Sequence, residues 1–258
     1  MRRVRETKEA SPTHVGVVAD SSSDRGSIPR ASIVFIGHFV VGFASKRAAP
    51  RTSLGLLLAA PLLADIIWPV LVLAGVEQVR ITGGLNPFLT LTFDAYPWSH
   101  SLLMLTVWGL LLGGGYYAVA KYRAGAVILF LGVLSHWVLD VVTHVQDMPL
   151  APGVPSKVGL GLWNSVVGTM LVEGAMFVVG VWLYTKGTQP RDKVGRWAWW
   201  AYIALLVVTY LSQLFSPPPP SVSALGWVAI VMSVVMVVWA WWLDRHRAAV
   251  GVVEGSRS

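Results

Sequence analysis

From residue 31 onward the chain is a series of long apolar runs joined by short connections, a pattern that leaves few folds available. Backbone N–H and C=O groups find no water in lipid, so only helices and closed barrels cross a membrane, and runs of about 20 apolar residues read as helices. The candidate segments are 31–45, 54–76, 99–120, 124–145, 163–185, 197–216 and 221–243. The second, about 23 residues long, reaches roughly 34 Å, against a hydrocarbon core of about 30 Å. The first lies at the lower limit for a span. Connections at 46–53, 77–98, 121–123, 146–162, 186–196 and 217–220 leave no room for a second domain. The expected fold is therefore all-α: a polytopic membrane helical bundle of six to seven transmembrane helices, one domain over 31–245. Residues 1–30 are polar, lack the apolar run of a signal peptide, and read as a disordered tail, while 246–258 form a short cytoplasmic tail.

Composition excludes the soluble classes. Hydrophobic residues make up 55% of the chain and charged residues only 13%, against about 25% charged in soluble proteins. A net charge of +7 would suit nucleic acid, but the basic residues sit in short loops beside apolar spans, so membrane lipid is the expected partner and no nucleic acid. Lys46, Arg47, Arg51, Lys121, Arg123, Lys186, Arg191, Lys193 and Arg196 fall on one side with Arg245, Arg247 and Arg257, whereas the other side carries Arg80 and Lys157. The excess of Lys and Arg places the first set and the C-terminus in the cytoplasm. Seven crossings would then put the basic N-terminal tail outside, unless 31–45 enters and returns, or the tail is absent from the working protein.

Inside these apolar runs stand groups that lipid tolerates only for a reason: His38, Asp65, His100, His136, Asp140, His144 and Glu173. Each costs a few kcal/mol even on lenient insertion scales, so such groups face one another, a metal or water. His100 and His144 fall at the end away from the basic loops, His136 and Asp140 one to two turns deeper, and Asp65 and Glu173 near the midplane, as for a cavity that opens outward. From Trp197 to Leu243 no Asp, Glu, Lys, Arg or His occurs, so the last two helices read as an anchoring hairpin apart from the site. His136, Asp140 and His144, spaced i, i+4 and i+8, form a stripe about 12 Å long on one helix face. Neighbours in the stripe can share an ion; the outer pair cannot do so directly. With no Cys in the chain, any metal is held by His, Asp and Glu, a donor set that suits Zn, Mn or Fe. The bland alternative is a polar face that satisfies neighbouring helices through hydrogen bonds. Of the remaining polar groups, Asn164 reads as an N-cap, Arg80 as a partner of Glu77 or of an anionic headgroup, Asp94 and Asp147 as solvated loop acids, and Gly113 as a packing residue.

Five elements together resemble a known family: Gly37-His38, Asp65 after Pro61-Leu62-Leu63-Ala64, Ser99-His100-Ser101-Leu102-Leu103, the stretch Ser135 to Thr143, and Glu173. Their order is similar to that in the bacterial inner-membrane proteins called membrane-bound metal-dependent hydrolases, the YdjM-like group. That family's PDIDH element is here Ala64-Asp65-Ile66-Ile67-Trp68, without its second Asp and its His. Its HRGxTHS element is reduced to Tyr96-Pro97-Trp98-Ser99-His100-Ser101, and His144 stands where the family usually has Pro. The chain looks closest to a divergent branch carrying GHF, PWSHSLL, SHWVLD and GLGLWNS.

The resemblance implies a multi-pass protein of the bacterial cytoplasmic membrane. It implies metal ligation by His38, Asp65, His100, His136 and Asp140, with Glu173 as a ligand or catalytic base; the stripe adds His144 to the expected metal set. The implied cofactor is a divalent transition metal, zinc first, and the implied activity is metal-dependent hydrolysis of a phosphoester or lipid-linked substrate. Two competing readings come from other classes: a proton- or metal-coupled transporter, since intramembrane acids and histidines also build ion pathways, and a non-catalytic membrane protein that has lost its metal.

Overall fold

The computed structural model describes residues 36–83 and 86–250; the expected tail at 1–30, the start of the first segment and the end of the C-terminal tail lie outside the described residues. The all-α bundle is borne out. Among the described residues nine helices follow one another as α1 (Ile36–Ala48), α2 (Leu54–Ala59), α3 (Leu63–Leu73), α4 (Pro97–His100), α5 (Leu102–Ala120), α6 (Arg123–Thr143), α7 (Val166–Gly187), α8 (Lys193–Gln213) and α9 (Val222–Arg245). Five of them, α5 to α9, are long and apolar enough to cross a membrane. Their outward faces are bare hydrocarbon: Leu110 is 60% exposed and Leu171 68%. Such faces are stable against lipid and not against water.

The described part of α1 has 13 residues, about 20 Å of helix, and the start of that segment lies outside the described residues. One of the seven expected segments takes another form. The apolar stretch 54–76 is broken at Ala60–Leu62, where Pro61 brings no N–H for the helical ladder and its ring clashes with the preceding turn. Two short helices result instead of one span.

Small residues set the closest approaches. A Cβ on Gly113 of α5 would stand 2.7 Å from the Ala126 carbonyl of α6, so the glycine lets the two helices pack backbone to backbone, as expected. Phe43, fully buried, is ringed by Phe177, Tyr184, Trp199 and Tyr202, which joins α1 to α7 and α8. α9 packs against α2 and α3. The last two helices therefore close the bundle and are not a peripheral hairpin.

The basic loops gather at one end. Lys46 Nζ donates to Asp244 Oδ2 at 2.8 Å and to the Thr52 carbonyl at 2.9 Å, Arg51 stacks on Tyr122, and Arg247 donates to Thr188 and the Gly195 carbonyl. A short ladder of β5 (Thr188–Pro190) with β6 (Arg247–Ala249) ties the α7–α8 turn to the residues after α9, so the expected C-terminal tail begins as paired strand. Opposite lie two hairpins, β1 (Gln78–Ile81) with β2 (Leu91–Ala95), and β3 (Met148–Pro149) with β4 (Lys157–Val158). Arg80 pairs in bidentate fashion with Asp94 across the first hairpin, not with Glu77, and this contact holds the Asp94 carboxyl below the usual carboxylate range.

Candidate metal centre

Four elements bring the cluster together at the hairpin end of the bundle. α6 supplies His136 and Asp140, one turn apart on its buried face, which continues through Gly132 and Thr143. His38 comes from α1, Asp65 from the first turn of α3, and His100 from the end of α4, a separate turn that precedes α5. The close seating of the α2–α3 break depends on Gly132: a Cβ there would meet Ala60 Cβ at 3.0 Å. That seating delivers the Pro61 carbonyl to His136.

The Asp140 carboxylate is the hub. Its Oδ1 lies 3.2 Å from His38 Nε2, while its Oδ2 lies 3.0 Å from His136 Nε2, 3.8 Å from His144 Nε2 and 4.0 Å from His100 Nε2. Asp65 Oδ1 is 3.6 Å from His100 Nε2. Two sets, His38–His136–Asp140 and Asp65–His100–His136, hold their ligand atoms within 4.8 Å of one another. His144 stands outside both sets. Its ring nevertheless reaches the same Asp140 oxygen as His136, as neighbours four residues apart on one helix face can: α6 ends at Thr143, but the His144 N–H still bonds the Asp140 carbonyl at 2.7 Å and keeps the side chain on the stripe.

The far sides of three rings are occupied by acceptors. His136 Nδ1 faces the Pro61 carbonyl at 2.8 Å, His144 Nδ1 faces Asp147 Oδ1 at 2.9 Å, and His100 Nδ1 faces Ser99 Oγ at 2.7 Å. A carbonyl or carboxylate can only accept, so His136 and His144 each carry a ring proton on Nδ1, and in the neutral ring each Nε2 presents a lone pair to the centre. His136 Nε2, though 3.0 Å from Asp140 Oδ2, makes no hydrogen bond of acceptable geometry. A lone pair and a carboxylate oxygen buried at that distance repel each other unless a cation stands between them, either a metal ion or a second ring proton.

The spacing fits that requirement. Ligand bonds of about 2.1 Å in tetrahedral array place donor atoms about 3.4 Å apart, and the contacts to Asp140 run from 3.0 to 4.0 Å. Outer acceptors on Nδ1 are the usual companions of metal-binding histidines. The residues present therefore fit a divalent ion held by imidazole and carboxylate, and the donor set favours zinc, manganese or iron without selecting one.

An aromatic roof closes the hairpin side. Trp163 lies 4.1 Å, ring centre to ring centre, from His144, Phe93 lies 5.3 Å from it, and Tyr96 lies 5.2 Å from His100. The expected outward-opening cavity is roofed at this end, and the accessible member is Asp65, whose side chain is 25% exposed against 1–5% for the histidines and Asp140. Trp68, where the resembled family has His, packs edge-on to His100 at 6.5 Å.

Glu173 is placed apart from both ligand sets. It is buried on α7 with its Cγ 3.8 Å from where a Gly37 Cβ would sit, and it faces the Tyr210 hydroxyl of α8. Asp140 is near enough for the two carboxylates to repel. The α8–α9 pair thus contributes Tyr210 to the polar interior, which the lack of charged residues in those helices conceals. Asn164 is not the cap of α7. Ser165 is, accepting from Gly168 N at 3.0 Å, while Asn164 binds the Gly161 carbonyl. Asp147, expected as a solvated acid, orients His144. The Pro61 carbonyl has no signature in a sequence, because any residue has a carbonyl.

Compared with known proteins, the chain matches no family model, no curated protein and no solved structure. The likeness to the metal-dependent hydrolases accordingly rests on the motif residues alone.

Proposed function

We propose that this is a membrane-embedded metalloprotein of the bacterial cytoplasmic membrane, C-terminus inside, whose buried His/Asp cluster holds a divalent transition metal, zinc first, and hydrolyses a phosphoester in a lipid or lipid-linked substrate. The observation that carries it is the convergence of four Nε2 atoms on the Asp140 carboxylate, with His136 Nε2 facing that carboxylate without a hydrogen bond. His38, His136 and Asp140 would hold the ion, with Asp65 and His100 sharing His136 as a second ligand set and His144 completing the surroundings. Such an ion supplies Lewis acidity toward a phosphoryl or acyl oxygen and activates water near neutral pH. Asp65, the accessible member, marks the side from which substrate enters. Glu173 is the base: its Oε2, buried and without a hydrogen bond, accepts the proton of the attacking water. The motif resemblance supports placing the chain near the YdjM-like hydrolases.

A second reading, proton-coupled transport, is favoured by one observation: Glu173 and Tyr210 form a buried pair beside the cluster and outside it. Elemental analysis of protein purified from native membranes, with a lipid-phosphate panel run on wild type and Glu173→Gln, tests both. The hydrolase reading requires close to one metal per chain or more, and turnover in wild type that Glu173→Gln abolishes while keeping the metal. Metal below about 0.1 per chain removes the ligand assignment. Metal without hydrolysis, combined with proton flux in wild-type vesicles that Glu173→Gln stops, moves the function to transport. Metal with neither activity leaves a non-catalytic metalloprotein.

A further inference from the structure

Glu77 follows α3 on the hairpin side, carries no motif and is 2% exposed. Its carboxylate is fully engaged. Oε1 accepts from Trp98 N at 2.8 Å and Ser99 N at 2.9 Å, and Oε2 accepts from Ser99 Oγ at 2.6 Å. Ser99 Oγ in turn lies 2.7 Å from His100 Nδ1, with the Tyr96 carbonyl a poor alternative at 3.5 Å. A carboxylate has only acceptors and a serine hydroxyl has one proton, so once that proton goes to Glu77 the hydroxyl can only accept from His100. The His100 proton is then fixed on Nδ1, and Nε2 faces Asp65 and Asp140 as a bare donor atom.

We propose that Glu77 is a positioning residue for the metal centre, acting through Ser99 to lock His100 in the tautomer that can bind a cation. It rests on the metal-centre reading above for its purpose and stands on the hydrogen-bond chain for its mechanism. Glu77 thereby does for His100 what the Pro61 carbonyl does for His136 and Asp147 does for His144, with a hydroxyl interposed.

The geometry makes the isosteric variant a directional test. In Glu77→Gln the amide oxygen must take the Oε1 place, since two backbone N–H groups point at it, which turns the new NH2 group toward Ser99 Oγ. Ser99 then accepts from that amide and gives its own proton to His100 Nδ1. The ring proton moves to Nε2, which closes that atom to a cation. Removing the hydroxyl breaks the relay, so Ser99→Ala should leave His100 free in either background.

The experiment uses the full chain in nanodiscs, metal-free for 15N NMR of the histidine rings, with His100 assigned by His100→Gln, and titrated with zinc against a competing chelator. Expected are an Nδ1–H His100 in wild type, an Nε2–H His100 in Glu77→Gln with zinc affinity reduced about 10- to 100-fold, and a mixed tautomer in Ser99→Ala. The double variant Glu77→Gln/Ser99→Ala should match Ser99→Ala and so bind zinc more tightly than Glu77→Gln. A His100 that keeps Nδ1–H in Glu77→Gln, or affinity losses that multiply in the double variant, would overturn the relay. If Glu77→Gln fails to fold, Ser99→Ala decides alone, and a wild-type tautomer there overturns it. Wild type that binds no zinc defeats the metal-centre reading, whereas the tautomer spectra of metal-free protein judge the relay separately.

Discussion

Replacing Asp140 by Asn tests the centre through a change of sign. The side chain keeps its volume and one carbonyl oxygen but exchanges an acceptor-only carboxylate, whose oxygens lie 3.0 to 4.0 Å from four Nε2 atoms, for a group that can also donate. In the metal-free wild type a neutral His136 sets its lone pair against Asp140 Oδ2 at 3.0 Å, whereas a ring with a second proton pairs with the carboxylate. In buffer basic enough to keep the ring neutral, an amide N–H in that place can donate to it, a contact worth about 1 kcal/mol, so there metal-free Asp140→Asn should melt at or above metal-free wild type. With zinc the order reverses. A ligand bound only by the folded state stabilises by about 2.7 kcal/mol at a free concentration 100 times its Kd. For a domain of roughly 200 residues each kcal/mol moves Tm by about 2–4 °C, so zinc should raise wild-type Tm by about 5–11 °C. Asp140→Asn should lose most of this shift. Thermal scans of both proteins in nanodiscs, in chelator and in buffered zinc, give the four values required. A wild-type melt indifferent to chelator and zinc, or a variant whose zinc response equals that of wild type, would refute the argument that these groups are arranged around a cation.

Three further outcomes are expected. A Cys introduced at Val154, in the loop between α6 and α7, should react with an impermeant thiol reagent from outside intact cells and one at Arg191 should not; the native chain has no Cys to interfere, and reversed labelling would invert the proposed orientation. Gly113→Leu should destabilise by about 1–3 kcal/mol, because its Cβ meets a carbonyl that cannot rotate away, whereas Gly114→Leu, with open space beside it, should change stability by under about 0.5 kcal/mol; equal effects in thermal scans would refute the close-packing assignment. Lys46→Met should cost about 3–5 kcal/mol by leaving Asp244 without its cation, and Lys46→Met/Asp244→Leu should recover most of that loss; a double variant as unstable as the single one would show that the pair is not the source.

The bundle was legible because helix period and lipid chemistry act on the same residues. A run of apolar side chains long enough to span can only be a helix in such a chain, and α5 to α9 lie close to their expected places. The run 54–76 reads as one span because hydropathy averages over the break at Ala60–Leu62; Pro61 sits in that break, while Pro69 is carried inside α3, so a missing N–H alone does not account for it. That break is functional in its effect, since it seats the Pro61 carbonyl against His136.

The site was legible to the same depth. His136 and Asp140 share a helix face by period alone, and the cost of burying His38, Asp65 and His100 in apolar surroundings marked them before any geometry was known. His144 follows from the same period, because its N–H still closes the last helical turn although α6 ends one residue before it, and it meets Asp140 four residues back. Glu77 could not have been found. Its role consists of where three donors point, two of them backbone N–H groups of Trp98 and Ser99, and an acid in a loop of the sequence carries no trace of them. Sequence thus marks the atoms that would touch a cation, because those need particular side chains. The acceptors behind them are largely invisible to it, since a carbonyl, a loop acid or a hydroxyl serves equally well.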